Sequence, residues 1–424
     1  MTLYTKKDVA NLLQILTERA ENISPEIMTT VSEVISEVRK NGDEALYKYT
    51  EKFDKIKLDS LYVDEAEKAR LCALVPDELK EIIDEAAENI YAFHKKQLQN
   101  SWMTNSDGKV MGQLVRPLDS VGLYVPGGTA AYPSSVLMNA IPAKVAGVRK
   151  IKIVTPPKAE GINPAVVYAA KKAGIDEIIS VGGAQAVAAL AYGTKSIERV
   201  DKIVGPGNIF VAMAKKLVFG AVDIDMIAGP SEVLVIADER ANAKYVAADL
   251  MSQAEHDPMA AAILITTSSE LANAVISQIE AQIKELPRHD IIDKSLEKYG
   301  SIVIVDSLDE AVELSNKIAP EHLELSVENP FELLSKVNNA GSIFLGDNAP
   351  EPLGDYFAGP NHVLPTNGTA RFSSALGVDS FIKKSSYLYY NHEQLKKISD
   401  KVIGFARAEG LDAHANSIIQ RFKK

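Results

Sequence analysis

Hydrophobic residues follow two different spacings along this chain, and each spacing predicts a different kind of element. In the first hundred residues they recur every three or four positions, which is the spacing of one buried helix face. One predicted helix begins at Ser24-Pro25, an N-cap residue followed by proline at the first helical position, and a second begins near Pro76. Their apolar stripes are Ile27, Val31, Val34, Ile35 and Val38, and then Leu79, Ile82, Ile83, Ala86, Ile90 and Phe93.

From Val121 onward, short apolar runs alternate with Ala-rich helical stretches. Each run ends near Gly or Pro and precedes a candidate helix. This alternation is typical of βαβ units in a parallel sheet. The turn at Ala228-Gly229-Pro230-Ser231 separates two sets of runs, so two sheets are favoured over one sheet of eight strands. The runs are Val121 to Val125, Ile151 to Val154, Ile178 to Val181 and Ile203-Val204, and then Val233 to Ile236, Ala262 to Thr266, Ile302 to Val305 and Ile343 to Leu345.

These elements predict an α/β fold with two doubly wound, incomplete Rossmann-like domains and helical N- and C-terminal arms. In such sheets, ligands bind beyond the carboxyl ends of the strands. The predicted segments are an N-terminal helical arm at 1–20, a large α/β domain at 21–123 and 232–376, a Rossmann-like domain at 124–231, and a C-terminal helical arm at 377–424.

The predicted C-terminal arm has helices from Glu393 to Ala408 and from Asp412, with Gly410 between them. Fewer than fifty residues of this kind can hardly hold a core of their own. We therefore expect the arm to dock on another body, such as a second subunit.

The composition is that of a soluble globular protein, with 46% hydrophobic and 24% charged residues among 424. No run approaches the roughly 18 apolar residues of a membrane span. The first residues lack the order of a secretory signal, and Cys72 alone cannot form a disulfide framework, so we expect a cytoplasmic location. The net charge of -11 opposes binding to nucleic acid.

Four of the seven histidines lie in the second half of the chain beside carboxylates, amides or glycine turns. Imidazole, carboxylate and amide oxygen suit a divalent ion such as Zn2+, and Glu next to His offers two proton acceptors of different basicity. The pattern predicts a metal site next to an acid/base pair. The segments are Gln253-Ala-Glu-His256, Pro320-Glu321-His322, Gly354-Asp355 through His362, and Glu409 to His414.

Several of these residues also have an ordinary structural explanation. Gln253 and His256 lie three apart on a helix predicted for 242–256, so both can reach one ion, but a capping His and a solvated Gln give the same pattern. Asp355 follows Gly354, as turn residues often do. His362 follows Gly-Pro-Asn, which mainly indicates a turn, and His414 fits an exposed helix.

The pair Glu321-His322 lies where a helical pattern breaks at Pro320 and a Leu-x-Leu alternation begins. Neutral imidazole, with a pKa of roughly 6.5, can accept a proton from an alcohol, and a desolvated Glu can deprotonate water. The alternative is a Glu-His pair on a surface rim. The other three histidines are predicted to be surface residues: His94, His289 and His392.

The glycine-rich loops leave nucleotide binding open. Gly205-Pro206-Gly207-Asn208 has two glycines of the dinucleotide fingerprint, but Phe210 stands where the third should be, and Gly182-Gly183 fails the pattern too. Such loops bind phosphates at helix N-termini or simply turn a strand into a helix. Cys72 lies on a predicted helix away from these loops, so it is a poor candidate for covalent oxidation of an aldehyde.

A series of short motifs follows in one order along nearly the whole chain. They are Tyr124-Val-Pro-Gly-Gly, Val181-Gly-Gly-Ala-Gln185-Ala, Val204-Gly-Pro-Gly-Asn208, Ala228-Gly-Pro-Ser231-Glu-Val, Gln253-Ala-Glu-His256, Ala319-Pro-Glu321-His322-Leu-Glu, Gly354-Asp355-Tyr, Gly359-Pro-Asn-His362 and Glu409-Gly-Leu-Asp-Ala-His414. In this order the motifs resemble those of the histidinol dehydrogenase family. Together they are far more specific than any one of them.

The resemblance implies an NAD-dependent enzyme of histidine biosynthesis that oxidises L-histidinol to L-histidine through the aldehyde, reducing two NAD+. It also implies one zinc ion per subunit, which holds the substrate. By this resemblance, Gln253, His256 and Asp355 bind the metal from one subunit. The other subunit of a homodimer supplies His414, so the arm at 377–424 would form the dimer and complete shared active sites.

The resemblance also assigns roles to the remaining motif residues. His322 is the base that takes the hydroxyl proton, and Glu321 activates water for hydration of the aldehyde. The substrate contacts comprise these two residues and the metal ligands, and also Ser231, His362 and Glu409. NAD contacts are expected from the domain at 124–231, at Tyr124, Gln185 and Asn208.

Two other functions fit parts of the pattern. In a zinc amidohydrolase, Glu321 would activate a metal-bound water and the glycine loops would be structural. In a non-enzymatic binding protein, a cleft between two domains would hold a ligand without turnover.

Overall fold

The structure is a computed structural model that describes residues 1–5, 8–21, 25–127 and 132–423, with the side chains of residues 20 and 21 excepted. Ser24 of the predicted N-cap and Gly128 of the Tyr124 motif lie outside the described residues. The chain divides into two compact units, Met1–Gln97 with Leu118–Phe381, and Leu98–Pro117 with Ile382–Lys424. The predicted domain boundaries stay a prediction.

After a run of helices in the first hundred residues, strands and helices largely alternate from Ser120 to Leu345. In chain order, the strands of both units are β1 Thr2–Tyr4, β2 Trp102–Ser106, β3 Lys109–Pro117, β4 Ser120–Tyr124, β5 Lys150–Val154, β6 Glu177–Ile179, β7 Lys202–Val204, β8 Asp223–Ile224, β9 Glu232–Ala237, β10 Ala261–Thr266, β11 Gly300–Ile304, β12 His322–Ser326, β13 Ser342–Leu345 and β14 Ile382–Tyr390. The α-helices are α1 Val9–Glu21, α2 Pro25–Asn41, α3 Asp43–Asp54, α4 Glu65–Ala73, α5 Asp77–Lys95, α6 Pro133–Ala146, α7 Pro164–Lys172, α8 Gly183–Tyr192, α9 Ile209–Val218, α10 Ala243–Ala254, α11 Ser269–Gln282, α12 His289–Tyr299, α13 Leu308–Ile318, α14 Pro330–Leu334, α15 Glu351–Tyr356, α16 His392–Ala408 and α17 Asp412–Ile419.

The first sheet of the larger unit is parallel and has the strand order β6-β5-β4-β7-β8. Its two faces lie in two different hydrophobic clusters. Leu123 and Ile153 pack with α5, α6 and α7, whereas Tyr124 and Val154 pack with α2, α8 and α9. Helices therefore cover both faces, which explains why the strands are apolar runs without alternation.

The second sheet is also parallel, with the order β1-β11-β10-β9-β12-β13. Helices α10 to α12 cover one face, and α1, α13 and α14 cover the other. The predicted α/β class, with two separate parallel sheets, is confirmed. The predicted N-terminal helical arm consists of a strand and a helix, because Thr2–Tyr4 joins the sheet edge beside β11 before α1 begins.

The smaller unit has an antiparallel sheet of order β14-β3-β2, followed along the chain by α16 and α17. Both predicted helices of the C-terminal arm are present. Strand β14 was not predicted, because its residues are exposed or half-buried and show no alternation of buried and polar positions. Every helix in the described part of the chain is too short or too polar to span a bilayer.

Candidate active site

Most of the predicted site residues of the larger unit line one cleft. On one side, Pro126 and Gly205 follow the carboxyl ends of β4 and β7, and on the other, Ser231 and Glu321 precede the amino ends of β9 and β12. The site residues of the second sheet thus lie at the amino ends of its strands, not at the carboxyl ends where ligands were expected. The cleft has a volume of about 320 Å3, which accommodates a small ligand.

The main chain of Glu232 holds both Glu321 and His322. Strand β12 pairs with β9 so that His322 lies beside Val233, one residue after Glu232. The Glu232 N–H donates a hydrogen bond to Glu321 Oε2 at 2.9 Å, and His322 Nδ1 donates one to the Glu232 carbonyl at 2.9 Å. Ala319, in the left-handed conformation with φ 53°, ends α13 and directs the chain through Pro320 into β12.

The hydrogen bond from His322 Nδ1 to the Glu232 carbonyl leaves the other imidazole nitrogen of His322 available. Because Nδ1 donates to a carbonyl, neutral His322 has its lone pair on Nε2. Nε2 is buried, makes no hydrogen bond within the described residues, and lies 3.8 Å from Asp355 Oδ1. His322 lines the cleft, so Nε2 can accept a proton from a bound molecule.

Burial and mutual charge set the pKa values of the pair, whose Glu321 Oε2 and His322 Nδ1 atoms lie 3.7 Å apart. Burial raises the pKa of Glu321 to about 7, although the nearby imidazole opposes this shift. Burial alone lowers the pKa of His322, but the carboxylates of Glu321 and Asp355 outweigh it and raise that pKa to about 10. Glu321 is therefore a proton acceptor above about pH 7, whereas the His322 imidazole accepts a proton near neutral pH only when a cation bound by Asp355 offsets the negative charge that raises its pKa.

Gln253 and His256 lie at the end of α10. The helix ends at Ala254, two residues before the predicted end, so the exposed His256 lies in the turn that follows. Gln253 is almost fully buried, and its Oε1 has no hydrogen-bond partner in the described residues. A buried amide oxygen without a partner is costly, so this oxygen is open to a further ligand.

Glu351 joins His256 and Asp355 in a group that could hold a metal ion. One ligand atom from each of these three lies within 4.8 Å of the others. Helix α15 places Glu351 and Asp355 one turn apart on the same face. The buried Glu351 carboxylate accepts a hydrogen bond from Ser252 Oγ at 3.1 Å, and burial together with Asp355 raises its pKa to about 8.

Glu351 was not among the residues predicted from the sequence. The signal that could have found it is its spacing of four residues from Asp355. With the unpartnered oxygen of Gln253, these residues provide the imidazole, carboxylate and amide ligands that a divalent ion such as Zn2+ accepts. The residues present therefore fit a metal.

His362 lines the same cleft as Ser231. Its Nδ1 donates to the main-chain carbonyl of Asp355 at 2.9 Å, and its Nε2 lies 3.4 Å from Ser135 Oγ. Burial lowers the pKa of His362, so the ring is neutral near pH 7 and can serve as a hydrogen-bonding partner for a ligand.

The prediction that His94 is a surface residue is wrong. It is fully buried, with Nδ1 donating to the Ile90 carbonyl at 2.8 Å and Nε2 lying 3.3 Å from Asn361 Nδ2. Both ring nitrogens of His94 therefore have partners in the interior. One of these partners, Asn361, directly precedes His362 in the sequence. His289 and His392 are exposed, as predicted.

The three predicted NAD contacts lie on elements of the first sheet and its helices, and none of them lines the cleft. Gln185 is buried with an unpartnered Oε1, and the buried Tyr124 hydroxyl accepts a hydrogen bond from the Gly183 N–H at 3.0 Å. Asn208 caps α9 by accepting from the N–H groups of Phe210 and Val211, both at 3.1 Å.

The glycine loop itself lines the cleft from Gly205 to Gly207. Gly205 has φ 107°, and an added Cβ would lie 2.2 Å from the Tyr124 carbonyl, so the close approach requires glycine. The loop ends at the N-terminus of α9, which favours negative charge such as phosphate. The loop fits the phosphates of a dinucleotide.

The last two predicted site residues belong to the smaller unit. Glu409 is the C-cap of α16, and His414 lies in α17. Both are exposed, so each is available to a ligand or a second chain. Their roles stay a prediction.

The chain resembles known proteins over nearly its full length. The family model for histidinol dehydrogenase matches residues 17–422. Histidinol dehydrogenase of Clostridium acetobutylicum is 58% identical over 418 residues, which cover 98% of this chain and 97% of the relative. That of Bacillus cereus is 56% identical over 413 residues, covering 97% and 96%.

A solved structure gives the same result. The crystal structure of histidinol dehydrogenase from Elizabethkingia anophelis aligns with a TM-score of 0.94 at 40% identity, covering 99% of this chain and 98% of that one. The resemblance predicted from the order of the motifs is confirmed.

We predict that the protein binds one divalent ion through the group around Asp355. The test strips the metal from each protein and titrates it with Zn2+ against a chromogenic chelator. The His256→Ala and Asp355→Asn variants should bind Zn2+ at least about 100-fold more weakly than the parent, because each loses a ligand. His289→Ala removes an exposed imidazole outside the group and should bind like the parent. Equal affinity in all four proteins would contradict the site.

Proposed function

This chain belongs to the histidinol dehydrogenase family, and from that premise we propose that it oxidises L-histidinol to L-histidine through L-histidinaldehyde, reducing two NAD+. The expectation of an oxidoreductase is confirmed by the family and its relatives. The same comparisons disfavour the zinc amidohydrolase and the non-enzymatic binding protein. The observation that carries the proposed chemistry is the free Nε2 of His322 in the cleft.

His322 acts as the base in the first oxidation. The Glu232 carbonyl holds the proton on Nδ1, so Nε2 takes the hydroxyl proton of histidinol as the carbinol carbon loses hydride. NAD+, when bound, supplies the hydride acceptor for both oxidations. The neighbouring Asp355 stabilises the imidazolium that forms, since its Oδ1 lies 3.8 Å from Nε2.

Glu321 prepares the second oxidation by activating water for addition to the aldehyde. Its buried carboxylate has a pKa raised to about 7, which makes it a stronger base than an exposed Glu. The hydrogen bond from the Glu232 N–H fixes its orientation. A covalent route through a thiol has no support, because Cys72 is buried on α4 in the hydrophobic core.

Gln253, His256 and Asp355 would hold one zinc ion with His414 supplied by the second subunit of a homodimer. When bound, such an ion would supply ligation that orients the substrate. The exposure of His414 and Glu409 supports their contribution to a neighbouring subunit's site. Ser231, His362 and Glu409 would contact the substrate. Tyr124, Gln185 and Asn208 would contact NAD beside the glycine loop.

We predict that replacing His322 by Asn slows the first oxidation by about 100-fold or more while histidinol still binds, because the proton acceptor is lost but the cleft is kept. The parent should release two equivalents of NADH per histidinol, followed by absorbance, and binding should be measured by calorimetry. His289→Asn is the matched control and should keep the parental rate. Unchanged turnover in His322→Asn would refute the base role.

The oxidation of L-histidinaldehyde should depend on pH through Glu321. Below about pH 7 its carboxyl is protonated and cannot activate water, so the rate should rise about tenfold per unit toward pH 7 and then level off. Supplying the aldehyde directly isolates this step from the proton transfer to His322. Glu321→Gln should be slow and lack this rise; the same pH profile in that variant would contradict the assignment.

Mixing two inactive variants tests the shared site. Gln253→Ala and His414→Ala place their defects on opposite sides of the proposed metal site, so a mixed dimer retains one complete site. After subunit exchange at equal amounts, about a quarter of parental activity should return, since half of the dimers are mixed and each has one active site. Each variant exchanged with itself is the control. No recovery despite demonstrated exchange would count against the cross-subunit ligand.

A further inference from the structure

We propose that Arg19, on the N-terminal helix α1, is a positioning residue for the pair Glu321 and His322. The proposal rests on the function proposed above, because it concerns how that pair is held. Nothing in the sequence around Arg19 links it to the motifs of the site, which begin more than a hundred residues later.

The guanidinium of Arg19 is completely buried and contacts the segment that leads into β9. Nη1 donates to the Met259 carbonyl at 2.9 Å and to the Ser231 carbonyl at 3.4 Å. Nη2 donates to the Pro230 carbonyl at 3.3 Å and forms a short ion pair with the Glu232 carboxylate. One side chain thus binds three consecutive residues, Pro230 to Glu232.

These three residues are directly connected to the site. Ser231 lines the cleft, and the main chain of Glu232 makes the hydrogen bonds to Glu321 Oε2 and His322 Nδ1. Arg19 therefore holds the side chain of Glu232, while the main chain of Glu232 holds the pair. A displacement of the Glu232 backbone moves both proton-transfer groups at once.

Arg19 also contacts the 366–367 loop, which packs against the segment before β9. Nη2 lies 3.2 Å from Asn367 Oδ1, next to Thr366, whose hydroxyl accepts a hydrogen bond from the Gly229 N–H at 2.7 Å. Gly229 packs so closely on Asn367 that an added Cβ would lie 1.8 Å from its Nδ2. The guanidinium therefore joins α1, the segment before β9, and the 366–367 loop into one rigid contact.

Charge makes this contact hard to replace. Glu232 is buried, and without Arg19 its carboxylate would lie unpaired near Glu321. An unpaired buried charge either takes up a proton or moves toward water, and movement of Glu232 displaces its backbone. Lysine keeps the charge but not the planar fork that reaches several acceptors at once.

The test compares Arg19→Ala with Leu12→Ala in the full-length protein. Leu12 is a buried apolar residue of the same helix, so its loss loosens α1 without removing the cation. We expect Arg19→Ala to lower kcat for histidinol by about 10- to 100-fold, with a smaller change in KM, because misplaced groups slow the chemistry more than they weaken binding. Leu12→Ala should keep kcat within about twofold at a comparable loss of thermal stability.

Chemical rescue separates positioning from a general structural role. Millimolar guanidinium ion should restore part of the kcat of Arg19→Ala, because the ion fills the space of the lost side chain and pairs with Glu232, and it should leave Leu12→Ala unchanged. If Arg19→Ala does not fold, Arg19→Lys is the alternative variant, because it keeps the charge and the aliphatic stem. Its kcat should fall about fivefold because the planar guanidinium fork is lost, while its melting temperature should stay that of the parent.

The outcomes distinguish this proposal from the function on which it rests. If the parent produces no NADH from histidinol, the proposed function fails. If the parent turns over but Arg19→Ala loses no more kcat than Leu12→Ala, or guanidinium restores both equally, Arg19 only stabilises the fold and the positioning role is refuted.

Discussion

The hydrogen bonds between the Glu232 main chain and the side chains of Glu321 and His322 connect the second sheet to the chemistry of the cleft. They exist because β9 and β12 pair in parallel with His322 beside Val233. Sheet hydrogen bonds leave each strand little freedom to shift, so the imidazole tautomer and the carboxylate orientation are built into the fold. This preorganisation is what general acid/base chemistry needs.

The second property of the site is that several carboxyl groups are buried close together. Burial raises the pKa of Glu351 to about 8 and that of Glu324 well above its usual value. Burial also acts to raise the pKa of Asp355, but the nearby imidazoles of His322 and His362 outweigh it, so this pKa is lowered. A carboxylate kept ionised among neutral acids and imidazoles is the arrangement that a divalent cation stabilises, and it agrees with the unpartnered oxygen of Gln253.

The two sheets contribute opposite strand ends to the same cleft, so each wall of the cleft has different binding properties. The first sheet presents the carboxyl end of β7 and the glycine loop at the N-terminus of α9, which suits a nucleotide. The second sheet presents the amino ends of β9 and β12, where Ser231, Glu321 and His322 lie. A cofactor and a substrate can therefore approach from different walls and meet between them.

The amino-acid sequence was enough to predict the class of fold, most of the strands, helices such as α5 and α16, and the family, because apolar spacing and turn residues report local structure and ordered motifs are specific. It did not reveal the burial of His94, the strand β14, or the participation of Glu351 and Arg19. These features became visible in the three-dimensional structure. Most of them depend on which distant segments meet, such as α1 with the start of β9, and local spacing contains no information on that pairing.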